Sequence, residues 1–147
     1  MALVRELVAA DIPAIFAVRV STTENAINEA QLNDLGITPE STEAAICDNL
    51  KGWVAEVDGE VTGFVMGDKN TGEVTVLALR PESEGRGLGK QLMQQVSEWL
   101  FAMGHDELWL LTGAIPSFRA YGFYQAIGWQ PTGERVDANE KFILRRA

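Results

Sequence analysis

Three glycines alternate along a short segment whose residue types suit the binding of an anion. Gly85, Gly87 and Gly89 follow an apolar strand that ends at Pro81, and an amphipathic helix comes directly after them, over residues 91–101. Glycine adopts tight turns at little cost, so successive backbone N–H groups can approach one anion. The unpaired N–H groups at the start of the helix add to this attraction. The segment therefore predicts a phosphate-binding loop.

The spacing of the glycines excludes two common nucleotide-binding loops. A Walker loop needs a glycine five residues before its Gly-Lys pair and a Ser or Thr after it, but Glu84 and Gln91 stand there. A dinucleotide-binding fingerprint needs Gly-x-Gly-x-x-Gly after the first strand. Here Lys90 takes the place of its last glycine, and the segment lies in the middle of the chain.

The loop resembles a coenzyme A-binding motif. Residues 84–89 read Glu-Gly-Arg-Gly-Leu-Gly. They are similar to the pattern [Arg/Gln]-x-x-Gly-x-[Gly/Ala], the pyrophosphate loop of the GCN5-related N-acetyltransferases, or GNAT superfamily. The preceding Leu-Arg-Pro-Glu is also typical of that family. The first position departs from the pattern, because Glu84 replaces Arg or Gln.

A second segment resembles the other diagnostic motif of the same family. That motif is Asn-x-x-Ala-x-x-Phe-Tyr, followed three residues later by Gly-Phe. In residues 117–129, Ala120 and the Phe123-Tyr124 pair match, Ser117 replaces Asn, and Gly128-Trp129 replaces Gly-Phe. Two motifs in the right order are far more specific than either alone, so the chain is identified as similar to the GNAT superfamily.

The resemblance implies a fold, a cofactor and a reaction. The fold is a mixed α/β single domain over residues 1–147, with a predominantly antiparallel central sheet flanked by helices. The donor is acetyl-CoA, and no metal is needed. The acetyl group passes directly to an amine within a ternary complex. Homodimers are frequent in the family.

The resemblance also assigns residues to the coenzyme. The backbone of Leu77, Ala78 and Leu79 pairs with the pantetheine arm, and the N–H of Leu79 polarises the acetyl carbonyl. The residues expected to hold the pyrophosphate, mainly by backbone, are Glu84, Gly85, Arg86, Gly87, Leu88, Gly89 and Lys90. We expect the Glu84 side chain to face away, because a carboxylate repels pyrophosphate.

Two residues of the second segment are assigned to the thioester. Tyr124 matches the family tyrosine that lies near the coenzyme sulfur and acts as general acid. A phenol has a pKa of about 10, but a thiolate leaving group needs modest assistance. Ser117 matches the Asn that contacts the pantetheine, and it can equally serve as the N-cap of a helix.

The general base is open among three candidates. Glu73 begins the strand before the loop, eleven residues ahead of Glu84, and this spacing resembles the base of the histone-acetylating branch. Glu24 lies in the presumed substrate-side loop. Many members of the family use water instead.

The net charge limits the classes of partner that the protein can bind. The chain carries −9, which argues against a nucleic-acid partner because no basic patch can displace counterions from phosphates. Residues 1–50 contain eight acidic and two basic residues, so −6 of this charge lies there. Such a field mildly favours a cationic acceptor, such as a polyamine, an aminoglycoside or a Lys-like amine.

Other features of the sequence suggest a cytoplasmic protein. No apolar run approaches the ~20 residues of a membrane span, and the N-terminus does not read as a signal peptide. Cys47 is the one cysteine and cannot form an internal disulfide. Because it follows Ala44-Ala45-Ile46, we expect it to be a small buried side chain.

Periodicity predicts the elements that must position these residues. A first strand (4–8) precedes a helix capped by Asp11 and a second helix capped by Thr38 that runs to Leu50. Three strands then form a meander (53–57, 61–67 and 73–79) with hairpin turns. The glycine loop leads into a helix, followed by a strand (108–111), a helix (116–127) and two antiparallel strands (129–136 and 141–145).

The sequence therefore predicts an acetyl-CoA-dependent N-acetyltransferase that acts on a primary amine of a small molecule or a peptide. One alternative is a protein acetyltransferase acting on an N-terminus or a Lys side chain. An alternative of another class is a binding module that senses acyl-CoA without turnover.

Overall fold

A computed structural model describes residues 2–21, 29–83, 85–114 and 119–146. The strands are β1 (Ala2–Glu6), β2 (Leu50–Val57), β3 (Glu60–Asp68), β4 (Glu73–Leu79), β5 (Glu107–Gly113), β6 (Gln130–Val136) and β7 (Asn139–Arg145). The helices are α1 (Ile12–Ser21), α2 (Glu29–Asp34), α3 (Pro39–Ile46), α4 (Leu88–Ala102) and α5 (Arg119–Ala126). This mixed α/β order confirms the predicted fold class.

The strands of the described residues form one sheet in the order β1-β2-β3-β4-β5-β7-β6. Neighbouring strands are antiparallel except for β4 and β5, which are parallel. Helix α4 makes the crossover between these two strands, as a parallel connection requires. The sheet is therefore predominantly antiparallel, with its one parallel step in the centre.

Helices cover the two faces of the sheet unequally. Residues of α4 and α5 pack on one face, where the core includes Leu92, Val96, Leu100, Leu108, Tyr124 and Phe142. Residues of α1 pack on the other face, over β2, β3 and β4, where the core includes Ile15, Val18, Val54, Phe64, Met66 and Ala78. We call these the α4 face and the α1 face.

Several predicted boundaries were wrong. The first strand spans Ala2–Glu6 rather than 4–8, and α3 ends at Ile46 because Leu50 already begins β2. Cys47 is exposed rather than buried. It is the C-cap of α3 and therefore lies beyond the helical turns that face the core. The N-cap role of Thr38 is confirmed, since its side chain accepts a hydrogen bond from the Ser41 N–H.

A partly buried ion-pair network holds the start of α1 against the sheet. Asp11 ends a short 3₁₀ turn before α1 instead of capping that helix, and it accepts the Val8 N–H at 2.9 Å. The Arg5 guanidinium donates to both Asp11 oxygens at 2.8 and 2.9 Å and to Glu56 at 2.6 Å. One cation on β1 thus joins the turn before α1 to β2. Its hydrogen bonds hold the pKa of the Asp11 carboxyl below its ordinary value.

This network predicts a pH-dependent stability. Because the folded pKa of Asp11 is depressed, its contribution is complete above the unfolded value of about 4 and is lost as the pH falls through the folded pKa. We expect Asp11→Asn to lower the free energy of unfolding by about 2 kcal/mol at pH 7. The deficit relative to wild type should shrink below about pH 4. Urea denaturation at pH 7 and pH 3 measures both values.

The exposed ion pair between Glu6 and Lys51 provides the control. Its atoms are 3.3 Å apart and the Glu6 side chain is 60% exposed, so Glu6→Gln should change the free energy of unfolding by less than about 0.5 kcal/mol. An Asp11→Asn deficit that is the same at both pH values would contradict the role of the charge.

Candidate active site

A cleft opens where β4 and β5 diverge. Both strands lie entirely within the described residues. They pair at one position, where Glu73 lies opposite Trp109, and they separate beyond it. Because the Arg80 N–H donates to the Thr62 carbonyl at 2.8 Å, alternate residues of β4 direct their backbone groups towards β3. The intervening residues, Leu77 and Leu79, therefore direct their N–H and C=O groups into the cleft.

The β5 side of the cleft follows the same alternation. The Ala114 N–H donates to Ala138 next to β7, whereas the Trp109 N–H donates to Gly72 on the β4 side. Leu111 and Gly113 are in phase with Trp109, so their backbone groups also face the gap. Unpaired backbone groups of this kind need a partner. An extended chain with amide groups, lying between the two strands, would supply one.

A β-bulge marks the point where β4 turns away. Met66 pairs with Val76 and Gly67 pairs with Val74, so Thr75 has no partner of its own on β3. Its hydroxyl donates to the Met66 carbonyl at 3.3 Å. Bulges increase the local bend and twist of a strand, which is consistent with the divergence of β4 from β5 at this level.

The glycine loop lies at the far end of β4. Gly85 and Gly87 have φ angles of 81° and 79°, a left-handed conformation that glycine adopts without strain. Gly87 immediately precedes α4 and has no side chain to cap it, so the first N–H groups of that helix stay available to an anion. A Cβ on Gly89 would lie 3.2 Å from both Leu79 and Phe123, so this glycine permits close packing of α4 on the cleft wall.

Tyr124 lines the cleft from the α4 face. The cleft has a volume of about 660 Å³ and also contacts Gly85, Gly87, Gly89 and Lys90. The Tyr124 ring is 7% exposed and packs edge-on against Phe123, Trp129 and Phe142. Burial raises its pKa, so the phenol stays protonated at neutral pH and can donate a hydrogen bond.

Glu73 lines the same cleft from the opposite face of the sheet. Val74 packs with the α4 core, and alternation along the strand therefore directs Glu73 to the α1 face. The carboxyl is half-buried, and burial together with the nearby Asp68 raises its pKa. Arg19 of α1 also lines the cleft. The gap between the strands thus has a phenol on one face and a carboxyl on the other.

Comparison with known proteins identifies the family to which this chain belongs. The model of the Acetyltransferase (GNAT) family matches residues 18–129, a span that contains both signature segments. The chain belongs to the GNAT family. A relative from Methanocaldococcus jannaschii, known as an uncharacterized N-acetyltransferase, is 29% identical over 80 residues. That match covers 53% of this chain and 51% of the relative, so it spans about half of the relative's length.

Solved structures share the fold over nearly the whole chain. The PaiA N-acetyltransferase of Thermoplasma acidophilum, solved in complex with coenzyme A, has a TM-score of 0.85 at 17% identity and covers 99% of each chain. An N-acetyltransferase of Staphylococcus aureus Mu50 has a TM-score of 0.78 at 18% identity, covering 99% of this chain and 98% of its own. The ribosomal-protein-S18-alanine N-acetyltransferase of Escherichia coli has 0.75 at 17%, covering 99% and 94%. At these identities the likeness concerns the fold.

The structure brings most of the residues predicted from the GNAT motifs to one cleft. Its lining includes Glu73, Leu77, Ala78, Leu79, Gly85, Gly87, Gly89, Lys90 and Tyr124. Arg86 is exposed and lies outside this lining, and the Leu88 side chain is buried in the core. Three predicted residues, Glu24, Glu84 and Ser117, lie outside the described residues.

Sequence reasoning missed several residues of the cleft wall in this GNAT chain. Arg19, Thr75, Leu111 and Asn139 all line it. Thr75 and Leu111 could have been found from the strand pattern, since they lie on the two strands that flank the cleft. Arg19 and Asn139 belong to no motif, and they reach the cleft because α1 and the β6–β7 hairpin fold over it.

Among the helices of the described residues, none combines the length and apolar composition that a bilayer span requires.

Proposed function

We propose that this GNAT chain is an acetyl-CoA-dependent N-acetyltransferase that transfers the acetyl group directly to a primary amine. One observation carries the proposal. A single cleft joins a left-handed glycine loop, the unpaired backbone of two diverging strands, a buried tyrosine and a half-buried glutamate. These groups match the pyrophosphate, the amide-containing arm and the thioester of acetyl-CoA in the order in which they occur along that molecule.

The chain's own groups suit the coenzyme. Leu77 and Leu79 offer N–H and C=O groups along the gap, in the pattern that the amides of the pantetheine arm can pair with. The N–H of Leu79 is the proposed donor to the acetyl carbonyl oxygen, where negative charge develops during attack. The backbone from Gly85 to Lys90 is proposed to hold the pyrophosphate, with the Lys90 ammonium adding positive charge. Acetyl-CoA supplies the activated acyl group.

The transfer needs two proton movements. The neutral amine nitrogen forms a bond to the acetyl carbonyl carbon, and the C–S bond breaks. The amine loses a proton to a base, and the departing sulfur gains one. We assign the second step to the Tyr124 hydroxyl, which then recovers its proton from solvent.

Glu73 is the proposed base, directly or through a water molecule. It lies on the face of the sheet opposite Tyr124, so an amine that enters from the α1 face would meet the carboxyl before the thioester. Its raised pKa brings it closer to that of an effective base at neutral pH. Glu24 and solvent stay as the other candidates, as in the sequence analysis.

The α1 side of the cleft carries both signs of charge. Among the described residues that line it, Glu73 is the acidic one and Arg19 lies on the same side. The described charges on this side of the cleft do not select a purely cationic acceptor, so we propose a primary amine on either a small molecule or a peptide. A peptide N-terminus and a Lys side chain are the corresponding protein acceptors.

The decisive experiment measures free thiol released from acetyl-CoA across a panel of amines. The panel pairs an amino acid with its amide, a diamine with a monoamine, and a peptide with a free N-terminus with the same peptide blocked there but containing Lys. Release that depends on one of these amines supports the transferase. Coenzyme binding by calorimetry, with no release on any amine, would favour the acyl-CoA sensor.

The proposed role of the glycine loop predicts that a substitution in it weakens the binding of the coenzyme specifically. An alanine at Gly87 must adopt a left-handed conformation, which costs about 1–2 kcal/mol or displaces the loop. The N–H groups of the loop then point away from the pyrophosphate, and losing one charge-assisted hydrogen bond should raise the Kd for coenzyme A about tenfold or more. Calorimetric titration of Gly87→Ala with coenzyme A measures this.

Gly36 provides a matched control for Gly87. Its φ angle is 77° against 79° for Gly87, and at neither position would an added Cβ have another atom within 4 Å. Gly36→Ala should lose similar stability and keep wild-type coenzyme affinity. Equal weakening of coenzyme binding in both variants would mean that the effect arises from general destabilisation.

The tyrosine predicts a defect in turnover. Tyr124→Phe removes one hydroxyl and keeps the ring packing, so we expect kcat to fall about tenfold or more. The Kd for coenzyme A should change less than about twofold, because the proposed partner of the hydroxyl is the sulfur and not the pyrophosphate. Steady-state kinetics and calorimetry on the same preparation give the two values. Unchanged kcat would remove the acid role.

The proposed role of Glu73 as base predicts an acidic limb in the pH profile of kcat. A base must be deprotonated, so kcat should fall at acidic pH with a midpoint above 4.5, the ordinary value for this group. Glu73→Gln should abolish that limb. Asp68→Asn should move the limb to lower pH, because Asp68 raises the pKa of Glu73. Two acceptors with different amine pKa values separate this limb from protonation of the amine. A limb that survives in Glu73→Gln would exclude Glu73.

A further inference from the structure

A buried carboxylate lies on β7, outside the groups used in the proposed reaction. The Glu140 side chain is 7% exposed. Its Oε1 accepts a hydrogen bond from the Tyr121 hydroxyl at 3.1 Å, and its Oε2 accepts one from the Gly133 N–H at 3.0 Å. The Arg135 Nε lies 3.9 Å from Oε1. A carboxylate this buried is costly unless its oxygens are satisfied, and here both have partners.

These contacts join three elements. Tyr121 belongs to α5, Glu140 to β7 and Gly133 to β6, where the pairing of β6 with β7 shifts register between Pro131 and Arg135. The short helix α5 has eight residues. A helix of this length is marginal by itself, so its position depends on tertiary contacts. The hydrogen bond from Tyr121 is one such contact with a fixed direction.

The same helix carries Tyr124. Tyr121 and Tyr124 are three residues apart and share one side of α5. Both rings contact Phe142, with centroids 4.9 Å and 6.1 Å away. Among the described residues, none makes a hydrogen bond to the Tyr124 hydroxyl. Its position in the cleft is therefore set by ring packing and by the placement of the helix.

We infer that Glu140 is a positioning residue, which fixes α5 through Tyr121 and thereby sets where the Tyr124 hydroxyl meets the thioester sulfur. The inference rests on the proposed transferase function. Glu140 has a second connection to the cleft, because its neighbour Asn139 points to the opposite face of β7 and lines the cleft there. Glu140 therefore contacts the helix that carries Tyr124 and is adjacent in the chain to a residue that lines the cleft from the other face.

The test compares variants that break the hydrogen bond in different ways. Tyr121→Phe removes the hydroxyl and leaves the ring on Phe142, and Glu140→Ala removes the acceptor. Both should lower kcat about tenfold, as expected for a misplaced reacting group. The KM for acetyl-CoA and the Kd for coenzyme A should stay within about twofold. Glu140→Gln should keep most of kcat, since its amide oxygen can accept the Gly133 N–H while its NH₂ donates to the Tyr121 oxygen.

A hydroxyl in the same hairpin provides the control. Thr132 Oγ1 donates to the Lys141 carbonyl at 2.8 Å and accepts the Glu134 N–H at 3.1 Å, so its hydrogen bonds with described residues stay within the β6–β7 hairpin. Thr132→Val should leave kcat unchanged. Wild-type kcat in Tyr121→Phe, or a loss of kcat matched by an equal loss of coenzyme affinity, would overturn the inference.

A readout that needs no turnover separates this inference from the proposed function. Amide hydrogen exchange of residues 119–126 in the coenzyme complex should be faster in Tyr121→Phe and Glu140→Ala, and unchanged in Thr132→Val. If the wild type acetylates no amine, the proposed function fails while this measurement still tests the anchoring of α5. Unchanged exchange in both Tyr121→Phe and Glu140→Ala would refute the positioning role.

Discussion

The divergence of β4 from β5 is the constraint on which the site depends. Paired strands satisfy each other's N–H and C=O groups, but this pair separates beyond Glu73 and Trp109. The facing groups of Leu77 and Leu79 then need another partner, because unpaired backbone inside a domain is costly. The bulge at Thr75 bends β4 away, and the glycine loop closes the far end of the gap. The cleft is therefore a consequence of one interrupted strand pairing.

Each helical layer is joined to the sheet by a buried carboxylate. Asp11 binds the turn before α1 to Arg5 of β1, and Glu140 binds α5 to β6 and β7. Breaking either network would leave a buried charge poorly satisfied, which gives these contacts directional strength that apolar packing lacks. The two layers in turn place Arg19 on one side of the gap and Tyr124 on the other. Apolar packing determines which helices cover each face. The hydrogen bonds of Asp11 and Glu140 determine the position of those helices on the sheet.

Much of the fold was predictable from local pattern. Alternation and turn residues predicted the strand Glu73–Leu79 to the residue, and the cap at Thr38 was correct, because both depend on short-range hydrogen bonds and backbone preferences. The end of α3 and the exposure of Cys47 were wrong. The end of a helix depends on which of the following residues join a strand of the sheet, and here Leu50 begins β2. Asp11 had the residue type of a cap, but the Arg5 guanidinium on β1, six residues earlier, became its partner instead.

The sequence by itself determined the family and the chemical groups available, since the glycine spacing and the Ala-x-x-Phe-Tyr segment are local patterns that need no fold to be seen. Tertiary structure decided how those groups are arranged. It directed the backbone of alternate β4 residues into the gap, placed Tyr124 and Glu73 on opposite faces, and brought Arg19 and Asn139 to the cleft wall. It also raised the pKa values of Tyr124 and Glu73 through burial. Burial, and which strand edges are left unpaired, depend on contacts between residues far apart in the chain, so local pattern alone does not encode them.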